Sequence, residues 1–316
     1  MKPSLFFPQI NNSISKSFMR YHNKSPFSLA KSWQEASYIV HIDPKKIVRL
    51  GNNKEVLLQV EPEVVRPDLY WTKAFRTYDY IIPISEERAK RQNLQEWVDL
   101  PLEIPTYKKR ENQPKKFAAL VNEHKFSASS RSKYGLRREV IKLCRSKGIE
   151  LDLFGKQWGD SKTLVMRRRL YALRTALVAH SPISITECFG DLFYSFQSEG
   201  IMDPEGQGLQ DYRLSIVIEN DLDYVSEKIW KSLYAGSIPI YVGPRLDKFG
   251  EMNEVVVECS DNADSILEAI DKTKNIDLLH WRNEVDAFLQ SKEIEKRKDQ
   301  LQFWKKFADV LFSLDS

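Results

Sequence analysis

Cysteine is scarce in this chain. Cys144, Cys188 and Cys259 are an odd number and no CxxC spacing joins them. That argues against a disulfide framework and for a reducing compartment. The five histidines, His22, His41, His124, His180 and His280, are scattered, so a zinc site has no ligand cluster, and each is expected at the surface or in packing. No apolar run approaches the roughly 20 residues of a membrane span. The opening MKPSLFFPQINNSISK holds no apolar stretch of signal-peptide length. Neither a Walker A loop nor a G-x-G-x-x-G fingerprint is present, which removes support for kinases and nicotinamide enzymes. Internal repeats and low-complexity tracts are also missing.

What is present is the composition of a globular protein, with 42% hydrophobic and 29% charged residues in 316, enough for two domains. The net charge is only +4, but it is uneven. Between Lys108 and Lys147 stand thirteen Lys or Arg against three Glu. Such a block suits nucleic acid, an anionic membrane or a phosphorylated small molecule. Nucleic acid is disfavoured, because the block flanks a strand and a helix and lacks interleaved aromatics for base stacking.

Strand and helix patterns alternate along the chain, which favours parallel sheets with crossovers. In the first part, Leu29 to Ala36 reads as a short helix and Tyr38 to Ile42 as a strand. Val56 to Val60 is a second strand, and Pro67 suits the start of a helix over Leu69 to Phe75. Tyr80 to Ile84 is a third strand. Pro101 to Lys116 is proline-spaced and charged, the best linker. Beyond it come a strand at Phe117 to Val121, a Ser-rich loop, a helix at Tyr134 to Lys147 and a strand at Ile149 to Phe154. A basic helix around Leu164 to Ala179 carries Arg167, Arg168 and Arg169. It opens an aperiodic stretch near 159–208 that reads either as an insertion shaping a pocket or dimer contact, or as a solvated basic helix with surface loops. After Val255 to Val257 and a helix at Ala263 to Thr273, Trp281 to Leu314 reads as a long amphipathic helical region. Its apolar stripe is expected to pack between domains, with membrane docking as the minority alternative.

The most informative stretch is Tyr212 to Pro244, YRLSIVIENDLDYVSEKIWKSLYAGSIPIYVGP. Leu214 to Ile218 is a β-branched run suited to a strand buried on both faces. Glu219 and Asn220 follow at its carboxyl end, where open α/β sheets bind ligands. From Val225 the apolar residues recur every four, as on a helix, with Asp223 or Ser226 able to cap it and Gly236 at its C′ position. Ile238 to Val242 is a second buried strand. Lys228, in the helix's first turn, opposes the helix dipole. It makes sense if an anion binds in front of the helix; the plainer alternative is a solvated lysine.

This segment resembles the signature of the α1,3/α1,4-fucosyltransferases, glycosyltransferase family 10. The matching pieces are Tyr212-Arg213-Leu214, Ile218-Glu219-Asn220, Asp223-Tyr224-Val225-Ser226-Glu227-Lys228, Ala235-Gly236, Ile238-Pro239-Ile240 and Gly243-Pro244. Ser226 stands where threonine is usual, and the loop after Asn220 is shorter than in many members. The resemblance implies a GT-B fold, α/β, with two Rossmann-like domains facing across a cleft: residues 1–105 binding the acceptor and 106–316 binding the donor, with the C-terminal helix in the latter. It implies inverting transfer of L-fucose from GDP-β-L-fucose to a glycan hydroxyl, α1,3 to a GlcNAc- or Glc-type acceptor, oligosaccharide or lipid-linked. No divalent metal or other cofactor is expected. Animal relatives usually carry a Golgi membrane anchor; this chain is expected in the cytoplasm of a bacterial or viral system, at the inner membrane face, with peripheral membrane contact and homo-oligomerisation left open. The alternatives are a relative using another nucleotide sugar and a catalytically silent sugar-binding GT-B protein.

An inverting transfer needs a general base, usually a carboxylate, and stabilisation of the departing diphosphate. Glu61, in Val60-Glu61-Pro62, resembles the family's Glu-Ser-Pro at its proposed base, with Glu63 as rival because the motif is compressed to Glu-Pro-Glu. Both also suit solvated loop positions. Lys228 matches the family lysine that meets the diphosphate. Arg137 resembles the nucleotide-binding arginine, with Arg138 adjacent as an alternative. Asn220 and Glu227 resemble ribose and sugar contacts, Tyr224 a phosphate or stacking contact, and Ser226 keeps the family hydroxyl. Asp221-Leu222-Asp223 mimics the Asp-x-Asp metal motif of GT-A enzymes. In the family frame Asp223 precedes Tyr224 and caps the helix.

Overall fold

The structure, a computed structural model, describes residues 2–9, 12–102, 105, 113–178, 182–191, 194 and 196–316. The chain forms two units: Met1–Leu102 with Lys296–Ser316, and Glu103–Glu295.

The first unit contains β1 (Ser4–Phe6), α1 (Ser13–Tyr21), β2 (Ser28–Leu29), β3 (Tyr38–Ile42), β4 (Lys54–Gln59), α2 (Thr72–Thr77), β5 (Tyr80–Pro83) and α3 (Glu86–Arg91). Among the described residues its sheet has five strands, all parallel, in the order β2-β1-β3-β4-β5. The runs YIVHI and EVLLQ carry apolar residues on both faces, and every residue of each is buried, as central parallel strands require. Their register pairs Val40 with Val56 and Ile42 with Leu58. The chain steps outward from β1 to β2 and returns on the other side with β3. The strand order therefore reverses between β1 and β3, the switch point where such sheets open a crevice at their carboxyl ends.

The second unit contains β6 (Lys116–Val121), α4 (Tyr134–Ser146), β7 (Leu151–Phe154), α5 (Lys162–Val178), α6 (Ile185–Phe189), β8 (Tyr212–Ile218), α7 (Glu227–Ala235), β9 (Ile238–Val242), α8 (Met252–Val255), β10 (Val257–Glu258), α9 (Ala263–Thr273) and α10 (Leu278–Leu289). Its described strands form a parallel sheet in the order β10-β9-β8-β6-β7. Here the reversal falls between β6 and β8, so the loops after these two strands face each other. The insertion's helix α5 is anchored along one side and exposed along the other. Arg169 and Arg138, both buried, share the Asp191 carboxylate at 3.0 and 2.8 Å, and Arg138, Arg168 and Arg169 stack on the Phe126 ring.

Two more helices follow, α11 (Lys292–Lys298) and α12 (Gln300–Asp315). α12 belongs to the first unit, not to a C-terminal domain running from 106 to 316. Its buried Trp304 meets Phe18 edge-on at 4.8 Å, Phe307 meets Phe27 at 6.2 Å, and Ser17 Oγ donates to Gln300 Oε1 at 2.6 Å. Near its end, Asp315 accepts hydrogen bonds from the Tyr38 and Tyr80 hydroxyls and the Lys54 ammonium. The α12 part of the stripe expected to pack between domains is thus spent on the first unit's own core, and Phe288 of α10 packs against Trp230 in the second unit.

Other expectations shift for local reasons. Trp281 to Leu314 is three helices rather than one, because Asp299 caps α12 by accepting the Leu301 N–H at 2.8 Å and the backbone breaks around Gln290. Leu29 to Ala36 is not helical. Ser28 and Leu29 pair with Ser4 and Leu5 as an edge strand, and only Trp33–Glu35 makes a single 3-10 turn. The helix read from Leu69 divides into a 3-10 turn at Pro67–Tyr70 and the short α2. Much of the proposed linker, His180 and Ala179 lie outside the described residues.

Candidate functional site

At the second unit's switch point, β8 hands its last ladder bond to Glu219, whose N–H donates to Val242 O at 2.9 Å. The Glu219 side chain is fully buried. A buried carboxylate needs donors and a counter-charge, and the next turn supplies both. Ser226 N–H donates to Oε1 at 2.8 Å, and Lys228 Nζ stands 3.6 Å from Oε2. Lys228 Nζ also donates to Ser226 Oγ at 2.9 Å. That hydroxyl caps α7 by accepting the Lys228 N–H, so Ser226 rather than Asp223 is the cap. Gly236 closes α7 at φ 71° in the left-handed region. Lys228 is therefore no freely solvated lysine: its ammonium is folded back over the helix's amino end, partly exposed, beside the carboxyl edge of the sheet.

Arg137 reaches the same edge from α4. Nε and Nη2 donate to Ile218 O at 3.2 and 2.5 Å, and Nη2 donates to Asn220 Oδ1 at 2.8 Å. The guanidinium lies 4.9 Å from the Tyr134 ring centre. Burial pulls its pKa down to about 10, so it stays charged at neutral pH. Arg138 points the other way, to Asp191 and the carbonyls of Lys125 and Glu187. Of the two adjacent arginines, only Arg137 meets the switch point.

The Asp-x-Asp segment meets a cation already in the chain. Arg131 grips Asp221 through Nη2 at 2.5 Å and Nε at 3.1 Å and stands 3.8 Å from Asp223. Among the described residues no three His, Cys, Asp or Glu side chains are grouped to hold a metal ion. The amino end of α4 carries an anion from within the chain: Glu187 Oε2 accepts the Gly135 N–H at 2.8 Å. Burial raises the Glu187 pKa. Tyr224 is half-buried and Glu227 exposed on the first turn of α7. Desolvation pushes the Glu227 pKa up, but Lys228 and Lys231 outweigh it and hold it below the usual range.

The structure thus brings Arg137, Asn220, Ser226 and Lys228 to one sheet edge, and adds Glu219, Arg131 and Glu187, whose roles the sequence pattern did not single out. A buried glutamate one residue past a strand was the available signal for the first of these.

Glu61 and Glu63 lie in the first unit, after β4, and are described within that unit alone. Glu61 is half-buried, its carbonyl held by the Tyr70 hydroxyl at 3.0 Å and the buried Arg88 at 3.4 Å. Glu63 stands 3.9 Å from Arg91. A third carboxylate, Asp43, was missed. It follows β3, at the switch point itself, and accepts the N–H groups of Val60 and Glu61 at 3.1 to 3.2 Å. Its backbone is left-handed at φ 42°, and Arg66 holds its carbonyl at 3.1 Å. Burial, reinforced by the nearby Glu61 charge, pushes its pKa up to about 6. Asp43-Pro44, closing an apolar run, was its only mark in the sequence.

Two Rossmann-like parallel α/β units define the GT-B class of fold, and solved glycosyltransferases share it. The chain aligns over its whole length, and over all of that chain, with the DNA-modifying enzyme β-glucosyltransferase solved in the presence and absence of its substrate uridine diphosphoglucose, at TM-score 0.54 and 9% identity. A glycosyltransferase from Rickettsia africae ESF-5 aligns over 98% of this chain and 97% of that one, at 0.51 and 9%. An α1,3-fucosyltransferase solved with GDP-fucose aligns over 98% and 90%, at 0.50 and 14%. At such identities the likeness shows the fold alone. No family model matches the chain, and no curated protein matches its sequence.

Proposed function

We propose that this chain is a glycosyltransferase that moves a sugar from a nucleoside diphosphate to a hydroxyl acceptor. The observation that carries the reading is the pairing of two cations, Arg137 and Lys228, at the carboxyl edge of one switch point, the second at a helix amino end. A departing diphosphate needs that charge. Lys228, partly exposed, is the point charge that meets the diphosphate, and the buried Arg137 adds positive potential behind it while its Nε and Nη2 hold Ile218 O and Asn220 Oδ1. Arg131 already binds Asp221 of the Asp-x-Asp segment, and the proposal includes no metal.

The signature at Tyr212–Pro244 supports the finer reading: L-fucose from GDP-β-L-fucose, transferred with inversion to a GlcNAc- or Glc-type acceptor. Asn220, Tyr224 and Glu227 contact nucleotide and sugar, Ser226 orients Lys228, and Glu61 is the general base. As the acceptor oxygen forms its bond to the anomeric carbon, Glu61 takes the hydroxyl proton and the bond to the diphosphate breaks, its electrons leaving with GDP. The second reading is a relative using another nucleotide sugar; uridine diphosphoglucose is the substrate of the β-glucosyltransferase of like fold.

Titration calorimetry with GDP, UDP and GDP-fucose separates the donors, and a transfer assay over an acceptor array reads the chemistry. Glu61→Ala is expected to abolish transfer with GDP affinity little changed, whereas Lys228→Ala weakens GDP binding about tenfold, as loss of one charge-assisted contact implies. Turnover that survives Glu61→Ala removes Glu61 from the role of base. Wild-type protein that binds neither nucleotide overturns the reading.

A further inference from the structure

α5 mixes apolar and basic residues around its circumference, and among the described residues only one side is covered. Arg169, Ala172 and Ala176 face inward with Ala128 and Cys188. The opposite side leaves Leu170 54%, Tyr171 71% and Leu177 56% exposed, with Leu164 and Val178 beside them. Large apolar side chains exposed together mark an interaction surface, so this outer face calls for a cover.

Charge identifies the cover. The seventeen residues Lys162–Val178 include five basic side chains and no acid. Arg168 and Arg169 are taken by Asp160 and Asp191. Lys162, Arg167 and Arg174 are exposed, and Arg167 and Arg174 project among the exposed apolar residues. A second copy of the helix set against this face would bring arginines onto arginines. Lipid phosphates instead give each guanidinium an anion, while the apolar side chains enter the acyl boundary and the long arginine stems snorkel outward.

We propose that the outer face of α5 docks the protein on an anionic lipid bilayer. The inference rests on the helix alone, not on the assignment of donor or base. It also relocates the membrane contact considered for the C-terminal region, whose apolar stripe Phe303, Trp304, Phe307 and Leu311 is buried.

The test is co-sedimentation of the full chain with vesicles of phosphatidylcholine alone and of phosphatidylcholine carrying one part in three phosphatidylglycerol. Binding to the anionic vesicles only, weakening as salt rises, is expected. Arg167→Gln and Arg174→Gln should each weaken it about fivefold, the scale of one basic residue at a charged membrane surface. Leu170→Ser with Leu177→Ser should abolish it with an unchanged circular dichroism spectrum and melting temperature, because both side chains are exposed. Equal binding by these variants, or none by wild type, overturns the proposal. So does analytical ultracentrifugation in which the Leu170/Leu177 variant converts a dimer to monomer, which assigns the face to a second copy.

Discussion

Asp43 is placed to keep a proton that most aspartates surrender. Its backbone sits in the left-handed region, rare outside glycine and tolerated by aspartate, and its carboxyl is partly desolvated at the end of a central strand. The folded pKa of about 6 exceeds the roughly 3.9 of an unfolded aspartate. The folded state therefore binds the extra proton between these values. The cost of the ionised carboxylate is full above the folded value and relieved below the unfolded one. Asp43→Asn keeps an acceptor for the two N–H groups and removes that cost. The melting temperature of the variant relative to wild type should accordingly rise as pH goes from about 4 to about 7; a difference that ignores pH refutes the assignment. Arg137 and Arg138 show how finely residue-scale geometry sorts neighbours. One step along a helix turns a side chain by about 100°, enough to send one guanidinium to Asn220 and the other to Asp191.

Elements carry the next level. Gly243, just past β9, has room for no side chain: a Cβ there would stand 2.3 Å from Tyr241 Oη and 2.8 Å from Glu219 Cγ, both in buried residues. Gly243→Ala should destabilise the protein by about 1–3 kcal/mol through overpacking, measured by denaturant titration, and it should weaken nucleotide binding as well, because Glu219 holds Lys228. Unchanged stability would mean that the loop moves freely and that Glu219 is not fixed by it. How far such features were legible follows from their range. β8, α7 and β9 were readable because each signal is local: a β-branched run, a four-residue apolar recurrence, a hydroxyl cap and a glycine stop. The break of Trp281–Leu314 was not, since one apolar stripe continues across Asp299 and only the cap geometry interrupts it. β1 and β2 are too short to show a period, and they exist through pairing with each other and with β3. Asp43, Glu187 and Arg131 take their meaning from residues 17 to 90 positions away, a distance no spacing rule spans.

At the scale of the molecule, the first unit is discontinuous. Residues Lys296–Ser316 complete a core begun at the amino end, and Asp315 holds α12 down through Lys54, Tyr38 and Tyr80. Those partners, the Lys54 ammonium foremost, pull the Asp315 pKa down to about 2. A depressed carboxylate stabilises above its unfolded value and loses that contribution as pH falls through its folded value. The deficit of Asp315→Asn against wild type should thus be full at neutral pH and fade between about pH 4 and pH 2, a trend that melting curves at stepped pH can follow. A deficit constant down to the acid limit would mean that the carboxylate charge plays no part in anchoring the helix.

The backbone passes between the units twice, after Leu102 and before Lys296. Synthesis from the amino end therefore delivers everything the second unit needs while the first still lacks the segment that covers Phe18 and Phe27. Those aromatic rings wait uncovered for the time it takes to translate the whole intervening stretch. A nascent chain that ends just past Glu295 presents a whole second unit joined to an unfinished first one, the kind of intermediate that chaperones bind.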